Sequence, residues 1–358
     1  MAKIKVAIVG AGFIVQRKHI SGFQRLKNQV DLVAICDVNL DQAKQVAAKF
    51  GIPRAYGDME QMLAAEKPDL VDICTPPKTH LPLAMTAIQH RCHILTEKPM
   101  ALTVEDCQQI IDAARQADIQ LCVGHNQLFY PSLVKARKLL ESGEIGEFRG
   151  MHIYMSTPIN FMTSVKDHWA HKLPGGLIGE TGPHMVYLAL SFINPIVDMD
   201  VHAMKLMPEY PWSRYEDYRV VLRGERAFCS ATLTYATNHW ADTIRLIGTD
   251  GTLEVDLIGL SLLKYRRPEL KAVSDGVQSL THSAQLLRHV AVTGTKYLFG
   301  RHQPTHALYI ESFVKALQKK QPSPVPGEMG RDTIKVLKMI TDQVEALSLE
   351  QPEIASVI

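Results

Sequence analysis

The stretch IKVAIVGAGFIV, residues 4–15, decides the fold. A short apolar run, interrupted only by Lys5, ends at Gly10, and Gly12 follows before a segment that can be helical. The first glycine permits a tight turn, and the second lets the backbone approach a pyrophosphate lying over a helix N-terminus. Val15 takes the place of the third glycine in G-x-G-x-x-G, a position that governs helix-to-strand packing and not phosphate contact. On its own the motif is weak. Asp37 strengthens it, because it closes the next apolar run, DLVAICD, at about the 20-residue distance expected of a carboxylate that accepts ribose hydroxyls. A carboxylate there repels a 2′-phosphate, so NAD is expected in preference to NADP.

Working outward, LVDICTP, CHILTEKP and IQLCVGHN continue the apolar runs, separated by helix-like segments such as LDQAKQVAAKF and VEDCQQIIDAARQ. Continuous β-branched runs between helices predict a doubly wound parallel sheet covered on both faces, an α/β Rossmann domain over residues 1–123. Beyond VGHN the texture changes to period-two alternation, as in EFRGMHIYMS, DYRVVLRG and AFCSATLTYA, with a TDGT turn. This predicts a second, α+β domain over 124–358 with a large, mainly antiparallel open sheet. One face of that sheet is left for solvent or a second subunit, so a homodimer or homotetramer is expected.

With 39 basic and 37 acidic residues, the net charge of +2 draws the chain to no nucleic acid, and a small-molecule partner is expected instead. No apolar run reaches the roughly 18 residues of a membrane span. The six cysteines form no C-x-x-C pair and sit in strand-like runs, which suits a reducing cytoplasm. From Gly276 to Ile310 there is no Asp or Glu, while Arg288, Lys296 and Arg301 punctuate apolar residues such as Leu286, Leu287 and Val290. Such a helix can touch a membrane surface or an anionic ligand, or pack on its own domain or a sister subunit.

Chemistry enters at TEKPM, residues 96–100. Pro99 ends a strand and pushes Lys98 into extended backbone at the carboxyl edge of the sheet, where the nucleotide crevice opens. A lysine partly desolvated there can share a proton near neutrality, with Glu97 fixing its position. Thr75 and Pro76, ending the run before it, line the same edge or form only a rigid turn. In GGLIGETGPHMVY, residues 175–187, Pro183 suits the first turn of a helix capped by Thr181 or Gly182. His184 then falls in that turn with Glu180 just before it. A carboxylate-backed histidine suits removal of a hydroxyl proton, although a His near a Glu is more often a structural pair.

Together VAIVGAGFI, CTPPKTHLPLA, TEKPMALT, LLESGEIGEFRG, GGLIGETGPH and IRLIGTDGTLEV resemble the glucose–fructose oxidoreductase, inositol dehydrogenase and MocA family over nearly the whole chain. That resemblance implies a nicotinamide-dependent oxidoreductase acting on a secondary alcohol of a polyhydroxylated substrate such as a sugar or cyclitol. It places the family's lysine on Lys98 and its histidine on His184, with Glu180 where the family has Asp and Tyr187 where it often has a second Asp. The candidate cofactor contacts are Gly10, Gly12, Phe13, Ile14, Asp37, Thr75, Pro76, His80 and Glu97. Candidate substrate contacts are Asn126, Lys166, His168 and Trp169. The His168 and His171 spacing could suggest a metal, but no further ligand cluster supports one, and none is expected. The resemblance leaves room for two other readings, an NAD-retaining glycosidase and a non-enzymatic sugar-binding regulator. The segment 259–306 is longer than the family's usual connection, and it could cover the site, extend an oligomer interface, or do neither.

Overall fold

The computed structural model describes residues 3–266, 272–298 and 305–350. By contacts the chain divides into two units, Met1–Phe129 with Gln303–Lys335, and Tyr130–His302 with Val336–Ile358. The sequence reading divides the chain at 123/124 and gives everything beyond to the second domain. The contacts carry the first unit to Phe129 and return to it a later segment, which contains the helix Thr305–Lys319.

Six strands make the first unit's sheet: β1 (Ile4–Val9), β2 (Val30–Cys36), β3 (Arg54–Tyr56), β4 (Leu70–Ile73), β5 (His93–Thr96) and β6 (Leu121–Val123). All pair in parallel, in the order β3-β2-β1-β4-β5-β6. The order reverses between β1 and β4, and the carboxyl ends of those strands are where nucleotides bind in such sheets. The intervening helices are α1 (Ile20–Arg25), α2 (Leu40–Phe50), α3 (Met59–Glu66), α4 (His80–Gln89) and α5 (Val104–Gln116). Their ends follow from local chemistry. The Asn39 side chain accepts from the Gln42 N–H at the start of α2, Gly51 ends that helix at φ 68°, and Thr103 caps α5 by accepting from Asp106. Val6, Ala7 and Ile8 are fully buried, as a strand covered on both faces requires.

In the second unit, α6 (Pro131–Glu141) precedes β7 (Phe148–Pro158), and α7 (Ile178–Ile193) precedes β8 (Ile196–Met204). Then come β9 (Asp217–Gly224), β10 (Phe228–Thr237), β11 (Ala241–Gly248), β12 (Thr252–Asp256), β13 (Ser261–Tyr265) and the long helix α8 (Ala272–Leu298). The sheet order is β13-β12-β11-β7-β10-β9-β8, antiparallel except where β10 meets β7. Within the 259–306 segment, the described residues include the edge strand β13 and the helix α8 packed on it. Arg301 and the Lys296 side chain lie outside the described residues. The Thr305–Lys319 helix is α9, and α10 (Gly327–Glu350) follows.

Among the described residues no helix is long and apolar enough to cross a membrane. All six cysteines are free and buried. Burial holds the thiols of Cys107, Cys122 and Cys229 up at about 12.

Candidate active site

In the first unit the candidate cofactor contacts gather at the carboxyl edge of the sheet. Gly10 sits at φ 104°, and a Cβ there would lie 2.6 Å from the Cys74 carbonyl oxygen, so the close approach of β1's end to β4's end requires glycine. A Cβ on Gly12 would meet nothing within 4 Å, which leaves open space over the turn, and Phe13 is 71% exposed beside it. Ile14 is half-buried and Val15 is fully buried in the core, as its packing position predicts. Asp37 follows β2 with one carboxylate oxygen accepting from the Ala11 N–H and the other from the Asn39 N–H, each at about 2.8–2.9 Å. Each oxygen keeps a second lone pair for a hydroxyl. Open space at Gly12 and an acceptor at Asp37 fit a dinucleotide's pyrophosphate and ribose.

Lys98 stands two residues beyond β5, half-buried, joined to Pro99 by a cis peptide bond. Its backbone N–H donates to Glu97 Oε2 at 3.2 Å. Thr75 follows β4, and its hydroxyl lies 2.7 Å from that of Thr79. His80 and Glu97 do not present their side chains at the surface, being 1% and 9% exposed. His80 Nε2 lies 2.8 Å from the Thr75 carbonyl and Nδ1 lies 3.0 Å from that of Pro99, so the ring ties the segments after β4 and β5 together. Burial lowers its pKa against the pull of those carbonyls. Asn126 begins a short 3₁₀ turn after β6 and is 5% exposed.

Glu97 belongs to a buried network absent from the sequence reading. His19 is fully buried, with Nδ1 2.8 Å from Asp72 Oδ2 and Nε2 2.8 Å from Glu97 Oε1. Cys74 Sγ lies 3.3 Å from His19 Nδ1, and the Tyr309 hydroxyl from α9 reaches Glu97 Oε1 at 3.4 Å. Burial opposes charge on His19, but Asp72 and Cys74 outweigh it and hold its pKa well above the usual value. Burial likewise works against ionised Glu97, and the His19 hydrogen bond and charge overcome it, leaving the carboxyl at about 2. Two groups of residues that could hold a metal, one of His19, Glu97 and His306 and the other of His19, Asp72 and Cys74, share this imidazole, whose two nitrogens are engaged by the carboxylates. His168 and His171 belong to neither group.

In the second unit, α7 starts earlier than its proline suggests. It runs from Ile178, with Glu180 in the first turn and Pro183 inside the helix. Gly175 and Gly176, both at φ 72°, reverse the chain immediately before it, and Pro183 merely leaves the Gly179 carbonyl without an i+4 donor. Two tyrosines from the sheet fix this start. The Tyr218 hydroxyl donates to the Gly175 carbonyl at 2.9 Å, and that of Tyr235 reaches the Leu177 carbonyl at 3.2 Å and pairs closely with the Thr181 hydroxyl. His184 therefore lies in the second turn, four residues after Glu180 on the same face. Its Nδ1 lies 2.6 Å from the hydroxyl of Tyr187, which is 1% exposed. A phenol thus engages the histidine from the position where the resemblance expects a carboxylate.

In the loop between β7 and α7, His168 Nδ1 accepts from the Ala170 N–H at 3.2 Å, and its ring stacks near that of Trp169, which is half exposed. Burial and His171 lower the His168 pKa against the opposing pull of Glu180, whose charge also acts on Tyr235. Lys166 is exposed in the same loop.

Comparison with known proteins agrees with this fold. Residues 4–125 match the NAD-binding Rossmann fold of the GFO/IDH/MocA oxidoreductases, and residues 133–254 match the C-terminal domain of the same family. The chain belongs to the GFO/IDH/MocA family. Relatives of the chain include the D-glucoside 3-dehydrogenase of Escherichia coli K12, 34% identical over 43% of this chain and 42% of that protein. The chain thus spans about two fifths of the length of this curated relative. Among solved structures, an NAD-binding oxidoreductase from Klebsiella pneumoniae superposes with a TM-score of 0.80 at 20% identity, over 97% of this chain and 98% of that one. The WlbA dehydrogenase of Bordetella pertussis, in complex with NADH and UDP-GlcNAcA, does so with 0.72 at 21% identity, over 96% and 97%. At these identities the structural likeness shows the fold.

Proposed function

We propose that the protein is an NAD-dependent dehydrogenase that oxidises a secondary alcohol of a sugar, cyclitol or sugar derivative, or reduces the corresponding ketone. The observation that carries this reading is the position of Lys98, directly beyond β5 on the sheet edge that bears Gly10, Thr75 and Asp37, with its backbone anchored to buried Glu97. Bound NAD supplies the hydride acceptor. Lys98 donates a hydrogen bond to the reacting oxygen, and His184 takes the hydroxyl proton on Nε2. That task requires the proton of neutral His184 to sit on Nδ1 and be donated to Tyr187, a direction open to the phenol because its oxygen accepts as well as donates. Glu180 supplies a negative charge to the same helix face. Asp37 favours NAD over NADP through its carboxylate. Asn126, Lys166, His168 and Trp169 are the proposed substrate contacts. The polyhydroxylated substrate class is supported by the relatives, one named for D-glucosides and one bound to a nucleotide sugar. A cytoplasmic setting is supported by six buried free thiols.

The test is to incubate the protein with NAD and a panel of glucosides, free sugars, inositols and nucleotide sugars while following NADH absorbance. We expect NADH formation with a subset of the panel, falling by about 10²–10⁴-fold in His184→Ala and strongly in Lys98→Ala. Asp37→Ser is expected to raise the NADP-to-NAD preference at least tenfold. Undiminished turnover in the first two variants, glycoside cleavage without NADH, or binding without turnover would each overturn the reading.

A further inference from the structure

The helix α8 is amphipathic in the inverted sense. Its inner face is polar and pairs with the backbone of the edge strand β13. Gln285 accepts from the Lys264 N–H at 2.9 Å and donates to the Lys264 carbonyl at 3.2 Å, and Gln278 accepts from the Arg266 N–H at 3.0 Å. His289 Nε2 lies 3.0 Å from the Gly259 carbonyl. These side chains supply the partners that a next strand would give, so the open edge is closed by the helix.

The outer face carries Val277, Leu280, Ala284, Leu287, Ala291, Gly294 and Leu298, spaced alternately three and four residues apart. Leu280 is 73%, Leu287 70% and Leu298 84% exposed, with Val277 at 59%. A 3–4 repeat averages 3.5 residues, the period of a seam that another helix fills. We propose that α8 pairs antiparallel with α8 of a second copy of this chain. Under the two-fold axis midway between Ala284 and Leu287, each layer joins a large residue to a small one: Val277 with Gly294, Leu280 with Ala291, Ala284 with Leu287. The partners' Arg288 side chains do not oppose each other, because each comes level with Ser283 of the partner subunit. The exposed large side chains, Val290 included, carry about 100 Å² of apolar surface apiece. The pair then buries about 1,000 Å², the size at which an interface becomes specific. A membrane-lying helix instead shows a Lys/Arg-rich polar face to water. Here the polar face is turned onto β13, and among the described residues Arg288 is the one charge flanking the seam.

Sedimentation velocity on the full chain and on Leu280→Glu/Leu287→Glu tests the pairing. The wild-type chain should associate at micromolar concentration. The variant should drop to half the wild-type mass with unchanged circular dichroism melting. Oxidation of a mixture of Ala284→Cys and Leu287→Cys chains should form a covalent dimer faster than either chain alone, against a background of buried native cysteines. The proposal is overturned by a monomeric wild-type chain at tens of micromolar, or by an unchanged mass in the Glu variant. It is equally overturned if the mutations abolish co-sedimentation with phosphatidylserine vesicles and leave self-association intact.

Discussion

At the scale of single residues, His19 concentrates the largest electrostatic stakes of the first unit. Two buried carboxylates flank one imidazole, and removing the cation between them takes from each its hydrogen-bonded opposite charge. His19→Gln is therefore expected to cost about 3–5 kcal/mol in urea unfolding. The pH dependence has two limbs. Glu97 has a folded-state pKa of about 2 against 4.5 for a free side chain, so its contribution is full above 4.5 and is lost as pH falls toward 2. His19 is raised, so its contribution is full below 6.5 and is lost as pH rises through its higher folded value. Urea midpoints measured from pH 2 to 5 should fall with acidification in the wild type and fall less in Glu97→Gln. None of this was legible in the sequence, because His19 meets partners 53 and 78 residues away and nothing local marks it as ionised. Gly10, Gly12, Asp37 and Lys98 were legible because strand patterning and chain punctuation alone bring them to one sheet edge.

At the scale of elements, α7 shows where local rules mislead. Its proline reads as a first-turn residue, yet the Gly175–Gly176 reversal and the two sheet tyrosines start the helix at Ile178. The earlier start moves His184 from the first turn to the second. Tyr187 reads in the sequence as a departure from the family, and the fold makes it the hydrogen-bond partner of His184. Tyr187→Phe is expected to lower kcat by about tenfold while KM changes little, since the proposed base His184 loses the hydroxyl that accepts its Nδ1 proton and supports the imidazolium formed on proton uptake. Steady-state kinetics on the best substrate would measure this split. Gly175→Ala should destabilise by about 1–2 kcal/mol, since φ 72° disfavours a side chain and a Cβ would stand 2.9 Å from Thr341 and Ile178 methyls. The outward face of the second sheet carries ion pairs such as Arg245–Glu254 at 2.6 Å and Arg223–Asp198 at 3.3 Å. An exposed apolar stripe lies on α8, whose seam spacing is written in the sequence but whose outward direction depends on the edge strand beneath it.

At the scale of the whole molecule, the first unit is discontinuous in sequence. Residues 1–129 hold the complete parallel sheet, but α9 brings Tyr309, Ile310 and Phe313, all fully buried, into the same core. Gly22 in α1 is matched to this return, because a Cβ there would lie 2.7 Å from Ile310 Cδ1. A fragment of residues 1–129 is therefore expected to bind a hydrophobic dye and melt without a cooperative transition, and a peptide covering 303–335 should restore cooperative melting when added in trans. The sequence places five of the six Rossmann strands and misses the three-residue edge strand β3, and it contains no sign that a helix some 300 residues downstream belongs to them, since its apolar face fits any core.

That late helix has a consequence for synthesis. While the ribosome translates Tyr130–His302, the nascent first unit already contains His19, Asp72 and Glu97 but lacks Tyr309 and Phe313. At about 5–20 residues per second that interval lasts roughly 10–35 s. Throughout it, the finished parallel sheet waits with an open apolar flank, so the nascent chain should depend on chaperone shielding for that time.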